Sequence, residues 1–130
     1  MTTTHINPDT LTKNPAFTQV VVAENPTATI YVGGQNGVTA EGKLAGETLY
    51  EQSKQTFANL EAALHAAGAS LEDVVKWNVS VLDGHPIEDG LRAFGEAWGD
   101  RPNPPAISVL VVHAFANPDY LVEIDAIAVI

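Results

Sequence analysis

The C-terminal stretch YLVEIDAIAVI, residues 120–130, decides the fold class because it has the pattern of one β-strand with two different faces. One face mixes acids with apolar residues: Leu121, Glu123, Asp125, Ile127 and Val129. The other face is entirely apolar: Val122, Ile124, Ala126, Ala128 and Ile130. Because neither face is simply polar, we expect the sheet that holds this strand to be covered on both sides.

The middle of the chain predicts two helices. Between residues 46 and 67 a stripe recurs at helical spacing, and Gly68 is placed to end the helix. The stripe consists of Leu49, Ser53, Phe57, Leu60 and Leu64. A second helix opens at Pro86. Its apolar residues recur at intervals of four, three and four: Ile87, Leu91, Phe94 and Trp98.

The N-terminal third predicts irregular chain followed by a hairpin. Residues 1–15 hold Thr, Asn and two prolines and form a lead-in without a packed face of its own. Residues 17–22 and 28–33 are β-rich runs on either side of the turn-prone residues 24–26. This pattern is typical of two antiparallel neighbours.

Two further strands complete the predicted fold. A capped turn over residues 70–73 leads into Val74–Leu82, whose predicted inner face is Val75, Trp77, Val79 and Val81. The strand over residues 106–113 follows, with Ile107, Val109, Val111 and His113 on one face. We therefore expect a single α+β domain over residues 1–130, with a five-stranded sheet and two helices on one face. Apolar residues on the uncovered face need burial against other copies, which predicts a homo-oligomer.

The composition excludes several classes of function. The chain has 6 Lys and Arg against 16 Asp and Glu, a net charge of −10, and its cations are scattered, so neither nucleic acid nor an anionic membrane is an expected partner. No apolar run approaches the roughly 20 residues of a membrane helix. With no cysteine and no signal-peptide pattern, we expect a cytoplasmic protein.

Glu123 and Asp125 are candidates for acid–base chemistry. They lie two residues apart on a strand, so their carboxylates point the same way at roughly 6 to 7 Å. Burial beside a like charge favours the protonated form of one of them, which suits a general acid or base. Alternatively, both acids face solvent at a subunit rim or pair with Lys76 or Arg92, and the spacing leaves both interpretations open.

Gly33 and Gly34 are candidates for ligand binding through the backbone. A glycine pair at the end of a strand lets N–H groups approach a carbonyl or carboxylate oxygen. A bulge or a turn is the alternative. The segment GGQNG does not match the GxGxxG fingerprint, so no nucleotide site is predicted.

The four histidines do not predict a metal site. None of them shows HxH or HExxH spacing, and the chain has no cysteine. His113 ends an apolar strand, where it is either a hydrogen-bonded strand terminus or a functional residue. No metal is expected.

Five segments together resemble the Rid family, the YjgF-type reactive intermediate deaminases, in order and spacing. They are NPAFTQVVV, IYVGGQNGV, AGASLEDVVKWNVSVLD, NPPAISV and LVEIDAIAV, which cover nearly the whole chain. The resemblance implies a chorismate-mutase-like α+β fold and a homotrimer with clefts between subunits. It also implies hydrolysis of enamines and imines to a 2-oxo acid and ammonia, without a metal or an organic cofactor.

The resemblance also implies a set of site positions. It gives Glu123 the role of handling the attacking water. It places the substrate-binding positions at Phe17, Gly33, Gly34, Leu91, Ile107 and Val109. In the family an arginine in a PARS-like segment grips the substrate carboxylate, and here that segment is PAIS, with Ile107 in the arginine's place. Since a buried anion without a cationic partner meets a desolvation cost of several kcal/mol, we expect an uncharged or apolar substrate.

Three hypotheses for function follow. The first is a Rid-type hydrolase of an uncharged or apolar enamine or imine, in which Glu123 activates water and the Gly34 N–H orients the polar substrate atom. The second is a non-catalytic trimer that binds a small apolar ligand or a protein partner. The third is a ribonuclease, an old label of the family, which the acidic charge and the lack of a basic patch disfavour.

Overall fold

The computed structural model describes all 130 residues and contains six strands and two helices. In chain order they are β1 (Thr2–Ile6), β2 (Val20–Glu24), β3 (Thr29–Gln35), α1 (Leu49–Ala66), β4 (Val74–Leu82), α2 (Ile87–Trp98), β5 (Ala106–Val112) and β6 (Val122–Val129). A 3-10 turn at Leu71–Asp73 precedes β4. Strands β3, β6, β4 and β5 form one sheet in that order, and β1 pairs with β2 in a second sheet. No helix combines the length and the apolar character that crossing a membrane requires.

β6, the strand whose pattern predicts the fold class, lies inside the four-stranded sheet. It runs antiparallel to β3 and β4, whereas β4 and β5 are parallel and are connected through α2. A parallel pair requires such a crossover. The apolar face of β6 is buried in the core: Val122, Ile124, Ala126 and Ala128. Both helices pack on this face, and the predicted α+β fold is confirmed.

The ends of α1 are set by its caps. Thr48 is the N-cap, and its Oγ1 accepts a hydrogen bond from the Glu51 N–H at 3.1 Å. Gly68, with a φ of +80°, follows the last turn. The helix therefore spans Leu49–Ala66 instead of residues 46–67. All five positions of its predicted stripe are buried, as expected.

The N-terminal third differs from the prediction. β1 lies in the segment expected to be irregular, because Thr2–Ile6 pairs along its whole length with β2 and its β-branched threonines suit a strand. β2 and β3 do not form the predicted hairpin, since β2 pairs with β1 and β3 pairs with β6. The expected five-stranded sheet is thus a four-stranded sheet beside a separate two-stranded sheet. The sequence marks five of the six strands, missing β1, and does not give their partners.

A register shift near the start of β4 changes which valine is buried. Val74 lies opposite Ala128 and Trp77 lies opposite Ala126, with the shift immediately after Val74. Val74 is 1% exposed and belongs to the core, whereas Val75 is only half-buried. Val74 therefore takes the core position predicted for Val75, because the extra residue of a bulge reverses the alternation of a strand.

β5 is an edge strand and its apolar side chains are exposed. Val109, Leu110 and Val111 are 43%, 62% and 61% exposed. The strand ends at Val112, so His113 lies outside it and is exposed. This edge is one part of the sheet that the protomer itself leaves uncovered.

Candidate functional site

An apolar cavity of about 160 Å³ lies between α2 and the helix-facing side of the four-stranded sheet. Trp77, Val122 and Ile124 line it from the sheet and are each 2% exposed. Leu91 lines it from α2, and Phe17 lines it from the loop before β2. Leu91 is 53% exposed, so the cavity lies open to the surface beside α2.

The wall of the cavity carries no ionisable group. Thirteen of its 16 lining residues are hydrophobic, and the other three are Asn14, Ser53 and Gly90. An ion that entered would lose its hydration without gaining a partner, at a cost of several kcal/mol. The cavity therefore suits an uncharged molecule. Nowhere in the chain do three or more acidic or histidine side chains gather in a way that would hold a metal ion.

The predicted site residues divide between the two faces of the sheet. Four of them line the cavity: Phe17, Leu91, Ile107 and Val109. Glu123 lies on the opposite face, because its neighbours Val122 and Ile124 line the cavity and successive side chains of a strand point to opposite sides. Gly33 and Gly34 do not line the cavity either. Within one protomer the sheet separates the carboxylate from the cavity.

The Glu123 side chain packs directly against the backbone of Gly34. A Cβ on Gly34 would lie 2.7 Å from Glu123 Cδ and 2.9 Å from Glu123 Oε2, so only glycine permits this approach. A register shift in β3 between Val32 and Gln35 leaves both glycines without a ladder partner on β6. Glu123 itself is half-buried and lies opposite Ser80 of β4. The bulge in β3 and the side-chain alternation of β6 together place the Glu123 carboxylate against the backbone of Gly34.

Asp125 has a different environment from Glu123. Asn78 lies opposite Asp125 on β4, and its Nδ2 donates a hydrogen bond to Asp125 Oδ1 at 2.7 Å. Neither acid pairs with Lys76 or Arg92, because the three ion pairs of the chain involve other carboxylates. Asp125 is thus held by a hydrogen bond within the sheet, whereas the Glu123 carboxylate has no side-chain hydrogen bond or ion pair within the protomer.

Comparison with known proteins decides the family. The sequence profile of the family described as Endoribonuclease L-PSP matches residues 9–130. The crystal structure of YyfB from Yersinia pestis, a Rid-family protein of unknown function, superimposes with a TM-score of 0.87 at 31% identity, with 100% of both chains covered. The chain belongs to the Rid family.

Other Rid-family relatives include proteins with a named activity. The 2-iminobutanoate/2-iminopropanoate deaminase of Rattus norvegicus is 38% identical over 115 residues, which cover 88% of this chain and 80% of that protein. A RutC family protein of Pyrococcus abyssi is 34% identical over 100 residues, 76% of each chain. RidA from an Antarctic Psychrobacter superimposes with a TM-score of 0.71 at 34% identity and covers 88% of each chain. The fold implied by the sequence resemblance is confirmed.

Two residues of this Rid-family cavity have no role assigned from the sequence. Ser53 interrupts the otherwise apolar stripe of α1, and Trp77 lies among the valines of β4, yet both line the cavity. A polar residue within an apolar stripe is a usable signal for Ser53. Trp77 has the pattern of an ordinary core residue, so its place in the cavity wall emerges only from the packing.

A cluster of side chains links α1 and α2 beside the cavity opening. Tyr50 Oη donates to the Glu96 carboxylate, with 2.8 Å to Oε2, and the Arg92 guanidinium lies 3.8 Å from the centre of the Tyr50 ring. The hydrogen bond to Glu96 raises the pKa of Tyr50 above its usual value. Because Arg92 follows Leu91 in α2, this cluster holds the helix turn that borders the cavity opening.

Proposed function

We propose that this Rid-family chain is a homotrimeric hydrolase of an uncharged, largely apolar imine or enamine, with its reaction site in a cleft between two subunits. The observation that carries the proposal is the division of the site. Glu123 packs on Gly34 at one face of the sheet, and an uncharged cavity lies on the other. When the Glu123 face of one subunit packs beside the cavity of a neighbouring subunit, a water activated by Glu123 can attack a substrate bound in that cavity.

Exposed apolar residues support an interface at these two places. On the face that carries Glu123, Tyr31 is 76% and Leu110 is 62% exposed. At the edge of the sheet, Val109 both lines the cavity and is 43% exposed. An uncovered apolar edge strand is a surface that proteins normally pair or bury. Docking this edge onto the Glu123 face of another copy brings the two halves of the site together.

The proposed reaction adds water across a C=N bond. The water oxygen bonds to the imine carbon while Glu123 takes one proton from the water and passes it to the nitrogen. When the resulting carbinolamine breaks its C–N bond, the hydroxyl proton moves through Glu123 to the departing nitrogen. The products are a carbonyl compound and ammonia. The Gly34 N–H orients the polar atom of the substrate beside the carboxylate.

The charge of the substrate separates this proposal from the named activity of the relatives. The 2-imino acids in those names carry a carboxylate. In this chain Ile107 lines the cavity, and no cation stands anywhere in its wall. The nearby Glu123 would also repel an anion. Both effects favour a neutral imine over an imino acid.

A non-catalytic trimer that binds a small molecule is the second candidate, and the same cavity favours it, because binding there needs no contact with Glu123. We do not propose the endoribonuclease activity that appears in the description of the matching family. The net charge of −10 repels a phosphate backbone, and the six cations form no stripe.

Ammonia release tests the proposal. Neutral imines formed in situ from primary amines by an amine oxidase are compared with 2-aminoacrylate. We expect the wild type to hydrolyse at least one neutral imine, and Glu123→Gln to slow that reaction by about 10²- to 10⁴-fold. Equal rates for the wild type and Glu123→Gln would contradict the proposed hydrolase. Thermal stabilisation by a compound that is never turned over would support the binding protein.

A further inference from the structure

Two buried polar atoms in residues that line the cavity have no hydrogen-bond partner: Ser53 Oγ and Trp77 Nε1. Ser53 is 1% exposed and Trp77 is 2% exposed. Buried side-chain donors are nearly always paired in folded proteins, so each exception needs an explanation. Both exceptions occur in residues of the wall of the same apolar cavity, which points to a bound ligand as the missing hydrogen-bond partner.

Ser53 does not use the partner that a helix normally offers to a hydroxyl. Within the same helix, Thr56 Oγ1 donates to the Gln52 carbonyl at 2.8 Å, which is the usual arrangement. Ser53 forms no such bond. Gly90 of α2 also lines the cavity, and a Cβ placed on it would lie 3.9 Å from Ser53 Oγ. The hydroxyl therefore lies where α1 and α2 meet at the cavity, and Gly90 offers it no side-chain acceptor.

Trp77 needs an acceptor that its neighbours do not supply. An indole N–H is a donor only. The ring meets Phe57 edge to face, with 6.0 Å between ring centres, and its cross-strand neighbours Ile107 and Ala126 have aliphatic side chains. A ligand acceptor group in the cavity is the partner that fits this donor.

The size and charge of the cavity define the ligand further. A cavity of about 150 Å³ lined by apolar side chains binds a molecule of the size of benzene, and this one measures about 160 Å³. We propose that the cavity binds an uncharged carbonyl compound or imine about the size of a six-membered ring, and that Ser53 and Trp77 select it by hydrogen bonding to its acceptor group. The inference rests on the proposed function for the choice of cavity and substrate class, but it requires no turnover.

A matched pair of ligands tests the inference. Cyclohexanone and methylenecyclohexane have the same shape and differ only in an oxygen in place of a CH₂ group. Isothermal titration calorimetry gives a Kd for each ligand on Glu123→Gln, a background chosen to exclude chemistry. We expect Ser53→Ala and Trp77→Phe, added singly, each to reduce the preference for the ketone by about tenfold, because each removes one hydrogen bond to the oxygen.

Thr56→Val is the matched control. It removes a buried hydroxyl from the same helix at a position that does not line the cavity, so the ratio of the two Kd values is expected to stay unchanged. Ser53→Ala removes one oxygen atom and opens less space than Trp77→Phe, so it carries the test alone if the tryptophan variant does not fold.

The outcomes separate this inference from the proposed reaction. Failure of both ligands to bind, or a ratio that Ser53→Ala leaves at its starting value, overturns the inference even if ammonia release still depends on Glu123. A fall in the ratio of the two Kd values supports the inference. It does so even if no imine is hydrolysed, a result that would overturn only the proposed hydrolase.

Discussion

The Glu123 carboxyl carbon lies so close to Gly34 that a Cβ at position 34 would be 2.7 Å from it, whereas a Cβ at Gly33 would meet nothing within 4 Å. Neither glycine has a positive φ, so both positions accept alanine conformationally. We predict that Gly34→Ala displaces the Glu123 side chain and lowers kcat by about 10²-fold, the effect of a misplaced reacting group. Steady-state ammonia release measures this fall in kcat.

Gly33→Ala is the control for this prediction. It makes the same chemical change in the same bulge and has the same effect on the entropy of the unfolded chain. Its kcat is expected to fall far less than that of Gly34→Ala, because a Cβ at position 33 meets nothing within 4 Å. Equal losses in the two variants would show that the bulge, and not the approach to Glu123, is what the reaction needs.

Ile107→Arg is predicted to change the charge preference of the cavity. Ile107 is half-buried in the cavity wall, and an arginine fork there pairs bidentately with a carboxylate. The ratio of kcat/KM for 2-aminoacrylate to that for a neutral imine is expected to rise by about tenfold or more. Ile107→Met, which adds length without charge, leaves the ratio low. A folded arginine variant with an unchanged ratio would show that position 107 does not face the substrate.

The sequence predicts the elements whose local pattern decides them. The stripe of α1 and the alternation of β6 are strong enough to place Leu60 and Ile124 in the core before any pairing is known. Strand partners are different, because register and order depend on contacts far apart in sequence. The turn at residues 24–26 suggests a hairpin, yet β3 finds its partner in β6, nearly a hundred residues away.

The candidate site is predictable to the same extent. The family resemblance names Ile107 and Leu91 as site positions, and both line the cavity. The separation of Glu123 from them depends on which face of β6 the helices cover, which no local pattern states. The bulge that brings Gly34 against Glu123 is likewise a property of the pairing between β3 and β6.

Asp125→Ala is predicted to lower stability without lowering turnover. The change leaves the Asn78 amide without its partner, which costs about 1–3 kcal/mol in the free energy of unfolding. Urea unfolding measures this loss. The double variant Asn78→Ala with Asp125→Ala is expected to lose less than the sum of the single variants. A large fall in kcat per folded protein would instead give Asp125 a part in the reaction.

Tyr50 is predicted to ionise at a higher pH than an ordinary tyrosine. The hydrogen bond to Glu96 favours the neutral phenol and raises its folded-state pKa. The stability from this bond is therefore fully present below the unfolded pKa of about 10 and is lost as pH rises through the higher folded value. Absorbance at 295 nm follows the titration of the tyrosines, and subtracting the curve of Tyr50→Phe isolates that of Tyr50. Glu96→Ala must shift it to lower pH, and an unchanged curve would show that Glu96 does not raise the pKa of Tyr50.

Mixing two inactive variants tests most directly whether each site combines two subunits. Glu123→Gln removes the base. Gly90→Leu fills the cavity while improving helix propensity by roughly 0.5–1 kcal/mol. If the site is shared between subunits, each cleft in an equal mixture made by co-expression draws its cavity from one subunit and its carboxylate from the next. Such a mixture is predicted to recover about a quarter of the wild-type rate of neutral-imine hydrolysis. A mixture no more active than either variant alone would contradict a site shared between subunits.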